Sequence, residues 1–249
     1  MKIYVINLDK DKVRLETIDA RLRAFGLSYE RIPAVDGRLL TTEEKRKSVN
    51  AFRNWSALGR KMRDGEIGCG LSHLRAYRKI VEAGDALACV LEDDVILDDR
   101  FPDVLHRIEQ VPARTNAQVF LLNNHTGGEL RAGVDGFVLI SARTALYMEG
   151  YVISLKAARN LLRANWPLQT PSDGFGRFVE RGAIKLCYAA PTVCSQQQTR
   201  YVSNTAGKGV RVSNLSRVRW CLYKLNRVVG LSLDHVICRL ERLLRNWDR

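Results

Sequence analysis

Ile3-Tyr4-Val5-Ile6-Asn7-Leu8 decides the fold. The run is β-rich and almost continuously apolar, which suits a strand buried on both faces. Just beyond it, Leu15, Ile18, Leu22 and Phe25 recur at i, i+3, i+7 and i+10, a helical stripe, and Gly26 stands where such a helix stops. Tyr29 to Ile32 predicts a short second strand, closed by Pro33 and the turn signal Asp36-Gly37. Strand, helix and strand in this order imply a parallel sheet with right-handed crossovers.

The pattern continues along the chain. Residues 40–64 are charged and poorly periodic and read as a mobile loop or a short surface helix. Leu74, Tyr77 and Val81 mark the next helix, closed by Gly84, and residues 86–91 (ALACVL) a third buried strand. Apolar runs at 117–122, 134–140 and 183–189 predict further strands. Gly150 to Ile153 leads through Ser154, an N-cap, into a helix over 155–163. Residues 190–214 read as a polar loop. The expected fold class is α/β: a Rossmann-like, mostly parallel sheet flanked by helices over residues 1–207, followed by a basic helical segment over 208–249.

Composition narrows the partners. The chain has 249 residues, 46% of them apolar, and a net charge of +13, which excludes collagen-like, low-complexity and wholly disordered chains. Such a charge favours acidic partners: a phosphate-bearing ligand, an anionic membrane or nucleic acid. Residues 208–249 hold ten Lys/Arg against three Asp/Glu, over half of the net charge. Val218, Leu222, Leu225 and Val229, then Val236, Leu240, Leu243 and Leu244, keep helical spacing there, flanked by Trp220, Tyr223 and Trp247. This segment reads either as a peripheral anchor on an anionic membrane or as an amphipathic helix pair that covers the sheet or makes a homodimer. The six cysteines lack a CxxC pair, the N-terminus meets polar residues too early for a signal peptide, and no apolar run reaches 18 residues. The expectation is a cytoplasmic protein with mostly free thiols.

The chemistry centres on Glu92-Asp93-Asp94, where the third strand ends. Ligands of open parallel sheets bind off the carboxyl ends of strands. Strand alternation would turn Glu92 and Asp94 one way and Asp93 the other. Three carboxylates against an apolar strand repel one another, and a divalent cation relieves that repulsion. Oxygen ligands favour Mg²⁺ or Mn²⁺, which can bridge to a diphosphate. A solvated acidic turn is the plainer reading of an isolated triplet. Arg14 lies one turn into the helix after Asn7-Leu8-Asp9, where it serves an anion or a nucleotide edge, or is simply a surface charge. The stretch Gly65-Glu66-Ile67-Gly68-Cys69-Gly70-Leu71-Ser72-His73 enters a helix and could present backbone N–H groups, Ser72 or His73 to a phosphate; capping and packing are the commoner uses of such a pair. Asp173, between Ser172 and Gly174, is a loop acid or an ordinary turn aspartate.

In order, Tyr4-Val5-Ile6-Asn7-Leu8 with Arg14, Ala34-Val35-Asp36-Gly37, the Gly65–His73 stretch, Leu91-Glu92-Asp93-Asp94-Val95 and Gly150-Tyr151-Val152-Ile153-Ser154 resemble glycosyltransferase family 25, the lipooligosaccharide glycosyltransferases. The resemblance covers roughly residues 1–200 and leaves out the basic tail. It implies a GT-A fold, a UDP-sugar donor and Mn²⁺-assisted transfer to an oligosaccharide acceptor. It makes Glu92-Asp93-Asp94 the counterpart of the DxD motif, with Asp94 as metal ligand, Glu92 on the metal or the ribose, and Asp93 beside the cofactor. It places Asn7, Leu8, Arg14, Ala34, Asp36 and Gly37 around the uridine. Asp173 matches an aspartate that the family carries after its Gly-Tyr-Val-Ile-Ser segment, and galactosyltransferases among its members make UDP-galactose the leading donor. Leu155 and Glu149 depart from the family's usual pattern. His73 and His125 are candidates, by residue type alone, for a further metal ligand.

On this reading Asp173 is the general base and transfer inverts the anomeric carbon. The basic tail would bring the enzyme to a lipid-linked acceptor at the inner membrane. Two rivals remain in view. A nucleotidyl or phosphoryl transferase also uses carboxylates at a strand end, although no P-loop is present. A nucleic-acid-binding module would suit the charge, but that charge concentrates in the tail.

Overall fold

The computed structural model describes residues 1–111, 118–123, 137–142 and 148–196. In chain order the elements are β1 (Lys2–Asn7), α1 (Lys12–Ala24), β2 (Glu30–Pro33), α2 (Thr42–Ser48), α3 (Ala51–Leu58), α4 (Asp64–Ala83), β3 (Leu87–Glu92), β4 (Val95–Leu97) and α5 (Phe101–Gln110). Then follow β5 (Gln118–Leu121), β6 (Val138–Ala142), β7 (Gly150–Ser154), α6 (Leu155–Ala164), α7 (Phe175–Glu180), β8 (Lys185–Ala190) and β9 (Cys194–Gln196).

Seven strands form one sheet in the order β2-β1-β3-β7-β5-β8-β6, and β4 pairs with β9 in a small second sheet. β1 runs parallel to β2 and β3, and β5 parallel to β8, while β7 and β6 run against their neighbours. The sheet is therefore mixed but mostly parallel, with helices on both faces, as the chain's opening predicts. Period-two alternation sorts the side chains. Tyr4, Ile6, Val90, Leu121, Tyr151 and Ile153 join a core with α4, α6 and α7. Ile3, Val5, Cys89, Leu91, Phe120 and Val152 face the other way, toward Ile18 and Leu22 of α1 and Phe101, Val104 and Ile108 of α5. Each such buried side chain contributes about 1.5–3 kcal/mol, so both faces are needed to hold the sheet.

Several expectations are corrected. The charged stretch 40–64 is neither loop nor single helix: it holds α2, α3 and the start of α4. Thr41 and Glu44 cap α2 reciprocally, and the Asn50 side chain caps α3 by accepting from the Arg53 N–H, so capping rather than an apolar stripe starts these helices. The glycine-rich stretch 65–73 lies inside α4 rather than ahead of it. β4, α5, α7 and β9 were not predicted, and β9 falls within the supposed loop 190–214. Ser154 caps α6 as expected, accepting from the Ala157 N–H at 3.2 Å. Cys69, Cys89, Cys187 and Cys194 are free thiols. No helix among the described residues is long and apolar enough to cross a membrane. The basic segment 208–249 and His125 lie outside the described residues.

Candidate active site

Sheet pairing assembles the site. β1 and β3 are parallel neighbours with Ile6 opposite Glu92, so the residues that leave both strands emerge at one edge. Asn7 ends β1 there, buried, and its Nδ2 donates to Asp93 Oδ2 at 2.7 Å and to the Asp11 carbonyl at 3.0 Å. Arg31 of β2 fixes the Asn7 amide from behind, donating from Nε to Oδ1 at 2.9 Å. Arg14, in the first turns of α1, places Nη1 at 3.3 Å from Asp93 Oδ1 and 3.4 Å from Asp94 Oδ2. The Ala34 N–H donates to the Asn7 carbonyl at 2.9 Å, and the Leu8 carbonyl accepts from Asp11 as the chain turns into α1.

The expected alternation of the three acids does not hold, because β3 ends at Glu92 and Asp93-Asp94 form a turn. Asp93 and Asp94 consequently share one guanidinium, whereas the Glu92 carboxylate reaches the helix side. Its Oε1 lies 3.2 Å from His73 Nε2 and 3.7 Å from Cys69 Sγ, and the Cys69 thiol meets the Ser172 hydroxyl at 3.0 Å.

The electrostatics of this edge are strained. Burial, then repulsion from Glu92 and Asp93, raise the Asp94 carboxyl to about 7, against the opposing pull of Arg14. Burial also raises Asp93, with Asn7 and Arg14 opposing. Asp94 Oδ1 is buried without a hydrogen-bond partner among the described residues. That orphaned carboxylate oxygen is a hard donor suited to a divalent cation, but both Asp93 oxygens are engaged by Asn7 and Arg14 and Glu92 turns to the helix side, so Asp94 alone among the three acids offers a buried oxygen without a partner there. The Asp173 residue is exposed, yet lost hydration on its protein side, with repulsion from Glu66 and Glu92, raises its carboxyl, opposed by a backbone N–H and by His73. Its neighbour Ser172 meets the Cys69 thiol, itself 3.7 Å from Glu92 Oε1, so Asp173 lies on the helix side of Glu92.

The remaining predicted residues have different surroundings. A Cβ on Gly37 would stand 1.8 Å from the Asp64 carbonyl oxygen, and one on Gly68 would stand 2.4 Å from that of Val35. The glycines thus let the Ala34–Gly37 turn press backbone to backbone against α4; they do not free N–H groups for a phosphate. The Ser72 hydroxyl is buried in the same contact, accepting from the Val35 N–H at 2.8 Å and donating to the Gly68 carbonyl at 2.7 Å. Ser72 is therefore committed to joining turn and helix instead of reaching a ligand. Asp36 sits at the rim in ion pairs with Lys10 and Arg38, which hold its carboxyl far below the usual range. His73 is buried against Tyr151, with Nδ1 2.7 Å from the phenol oxygen. Sequence reasoning missed Arg31, Cys69, Ser172 and Tyr151; the Cys69/His73 spacing of i, i+4 on one helix face was the available signal.

Residues 1–131 match the family described as glycosyltransferase family 25 (LPS biosynthesis protein). The chain belongs to glycosyltransferase family 25. It is 31% identical over 186 residues to "Probable inactive glycosyltransferase 25 family member 3" of Bos taurus, covering 70% of this chain and 31% of that protein. It is 32% identical over 183 residues to "Glycosyltransferase 25 family member" of Drosophila melanogaster, covering 70% and 30%. The chain thus spans about a third of the length of the curated relatives it matches. Among solved structures it is similar to A197 from STIV (TM-score 0.41, 12% identity, 84% of this chain and 100% of that one). It is also similar to galactosyltransferase LgtC in complex with donor and acceptor sugar analogues (TM-score 0.36, 13% identity, 76% and 73%).

Proposed function

We propose that this protein transfers a sugar, galactose by preference, from a UDP-sugar to a lipooligosaccharide acceptor with metal assistance and inversion of configuration. The observation that supports it most is the Asp93-Asp94 pair just past β3, held by Asn7 and Arg14, with one buried Asp94 oxygen left open. Asp94 and Glu92 would hold Mn²⁺ or Mg²⁺. Bound there, a divalent ion acts as a Lewis acid toward the departing diphosphate, worth several kcal/mol. Arg14 and Asn7 orient Asp93 and Asp94, and Asn7, Leu8, Arg14 and the Ala34–Gly37 turn bound the uridine side. Asp173 takes the proton of the acceptor hydroxyl as its oxygen bonds to the anomeric carbon and the sugar–diphosphate bond breaks. A carboxylate of raised proton affinity is the better base, and such assistance is worth about 10²–10⁴-fold.

The test is to screen UDP-Gal, UDP-Glc, UDP-GlcNAc and UDP-GalNAc for Mn²⁺-dependent thermal stabilisation and slow hydrolysis. Asp94→Ala should abolish both, and Asp173→Asn should keep donor binding while losing transfer. Full activity of Asp94→Ala in metal-free buffer would overturn the metal role, and normal turnover by Asp173→Asn the base. Pyrophosphate release from an NTP would favour nucleotidyl transfer. Salt-dependent DNA binding without donor hydrolysis would favour a nucleic-acid module.

The excess of Lys/Arg in residues 208–249 supports a second part of the proposal: the enzyme sits peripherally on the cytoplasmic face of the inner membrane, near its lipid-linked acceptor. Flotation of the full chain, but not of residues 1–207, with anionic liposomes is expected. Equal flotation of both would discard the anchor and leave the helix pair or dimer.

A further inference from the structure

On the helix side of the cleft, Cys69 Sγ, His73 Nε2 and a Glu92 carboxylate oxygen all lie within 4.8 Å of one another. We propose that Cys69, His73 and Glu92 form a binding site for a soft divalent cation, Zn²⁺, which competes for Glu92 with the all-oxygen site proposed at Asp94. The distances suit the ion. Tetrahedral zinc, with bonds of about 2.3 Å to sulfur and about 2.1 Å to nitrogen and oxygen, separates S from O by about 3.6 Å and N from O by about 3.4 Å. Here Sγ lies 3.7 Å, and Nε2 3.2 Å, from Glu92 Oε1. Cys69 and His73 are one turn apart on α4, so the helix presents both on one face before any ion arrives.

The surroundings of His73 supply an independent observation. A histidine that binds a metal through one nitrogen needs an acceptor at the other, which fixes the tautomer and the ring plane. His73 Nδ1 lies 2.7 Å from the Tyr151 oxygen, and the Tyr151 hydroxyl donates onward to Tyr77 at 3.1 Å. With Nε2 on the ion, Nδ1–H donates to Tyr151, whose own proton is already directed to Tyr77, so the Tyr151 oxygen is free to accept. His73 is 2% exposed, while the Glu92 side chain keeps 28%, which leaves an approach from the cleft.

The charges balance. Binding removes the thiol proton of Cys69 to solvent, and the thiolate and the Glu92 carboxylate cancel the two charges of the ion; water takes the fourth position. Because Glu92 then belongs to the soft ion, zinc withdraws it from the hard cation proposed at Asp94. The inference does not require the transferase reading: an inactive protein can hold the same site.

The full-length protein, reduced with a phosphine and treated with chelator, is titrated with Co²⁺ as a spectroscopic stand-in. One equivalent should give tetrahedral ligand-field bands and a thiolate-to-cobalt charge-transfer band, both removed by Zn²⁺, with one proton released per ion. Cys69→Ser should lose the charge-transfer band, and Tyr151→Phe should weaken zinc about 10–100-fold. X-ray absorption of zinc-loaded wild type gives a readout that needs no variant, and one sulfur at about 2.3 Å is expected. A first shell without sulfur, or a charge-transfer band unchanged in Cys69→Ser, would overturn the proposal. Absence of donor hydrolysis by the zinc-free protein in Mn²⁺, with these signatures intact once zinc or cobalt is added, would sink the transferase reading and leave the zinc site standing.

Discussion

Arg14 Nη1 stands 3.3 Å from Asp93 Oδ1, and each side chain is only 9% exposed. A buried cation paired with a buried anion adds little net stability, but removal of one partner is costly because the other stays charged in a poor solvent. Arg14→Met should destabilise the protein by about 3–5 kcal/mol at pH 7. The loss should shrink toward pH 5, where Asp93 and Asp94 can take protons instead. Urea denaturation at both pH values checks this, and an equal loss at both would show that packing of the Arg14 stem dominates.

Asp94 gives stability its own pH slope. Its carboxyl is raised to about 7 in the folded chain, against about 3.9 in an unfolded one. Between those values the native state binds the extra proton, so this group's contribution to stability falls as pH rises from about 4 to about 7. Asp94→Asn should flatten that slope, leaving the metal-free variant more stable than wild type at pH 8 and equal to it near pH 4. Denaturation in chelator at four pH values decides, and parallel curves would contradict the assignment.

The turn against α4 predicts a steric penalty. Gly37→Ala and Gly68→Ala each drive a methyl into backbone, at 1.8 and 2.4 Å from carbonyl oxygens, and neither neighbour is a flexible side chain. Each should cost about 1–3 kcal/mol or more. Gly84→Ala is the control: its φ is +72° and its Cβ direction is open, so only the left-handed backbone is strained, at about 1 kcal/mol. Thermal melts of the three should rank in that order.

Ser72→Ala should expose the same contact from the other side. Without the hydroxyl, the Val35 N–H loses its acceptor at a part-buried position, for a cost of about 1–3 kcal/mol. Hydrogen exchange at the Val35 amide should accelerate while that of β1 amides does not.

The central strands were legible because their apolar runs are buried on both faces and need no partner to be recognised. Asn7, Arg14 and the acidic triplet were legible as a group because parallel pairing puts strand ends together. The reversed direction of β7 was not readable, since Gly150–Ser154 has the same apolar character in either orientation. The stretch of α2 and α3 was legible only as a loop or one short surface helix, because short helices held by caps carry no long stripe. The glycines of 65–70 read as the approach to a helix rather than its interior, but the contacts of Gly68 with the 35–37 turn and of Gly70 with Leu168 offset their helix penalty. Face alternation failed beyond Glu92 because the strand stops there, which also explains why Cys69 went unnoticed as a neighbour of Glu92.

The seam between Gly37 and Gly68 bears on protein engineering. Because Val35 hangs on Ser72, and His73 follows next in the chain, the 35–37 turn and the wall of the cleft form one mechanical block. A specificity swap that transplants the turn from another enzyme without its matching helix segment would import a misfit at the seam. Chimeras should therefore exchange residues 34–37 and 64–73 together.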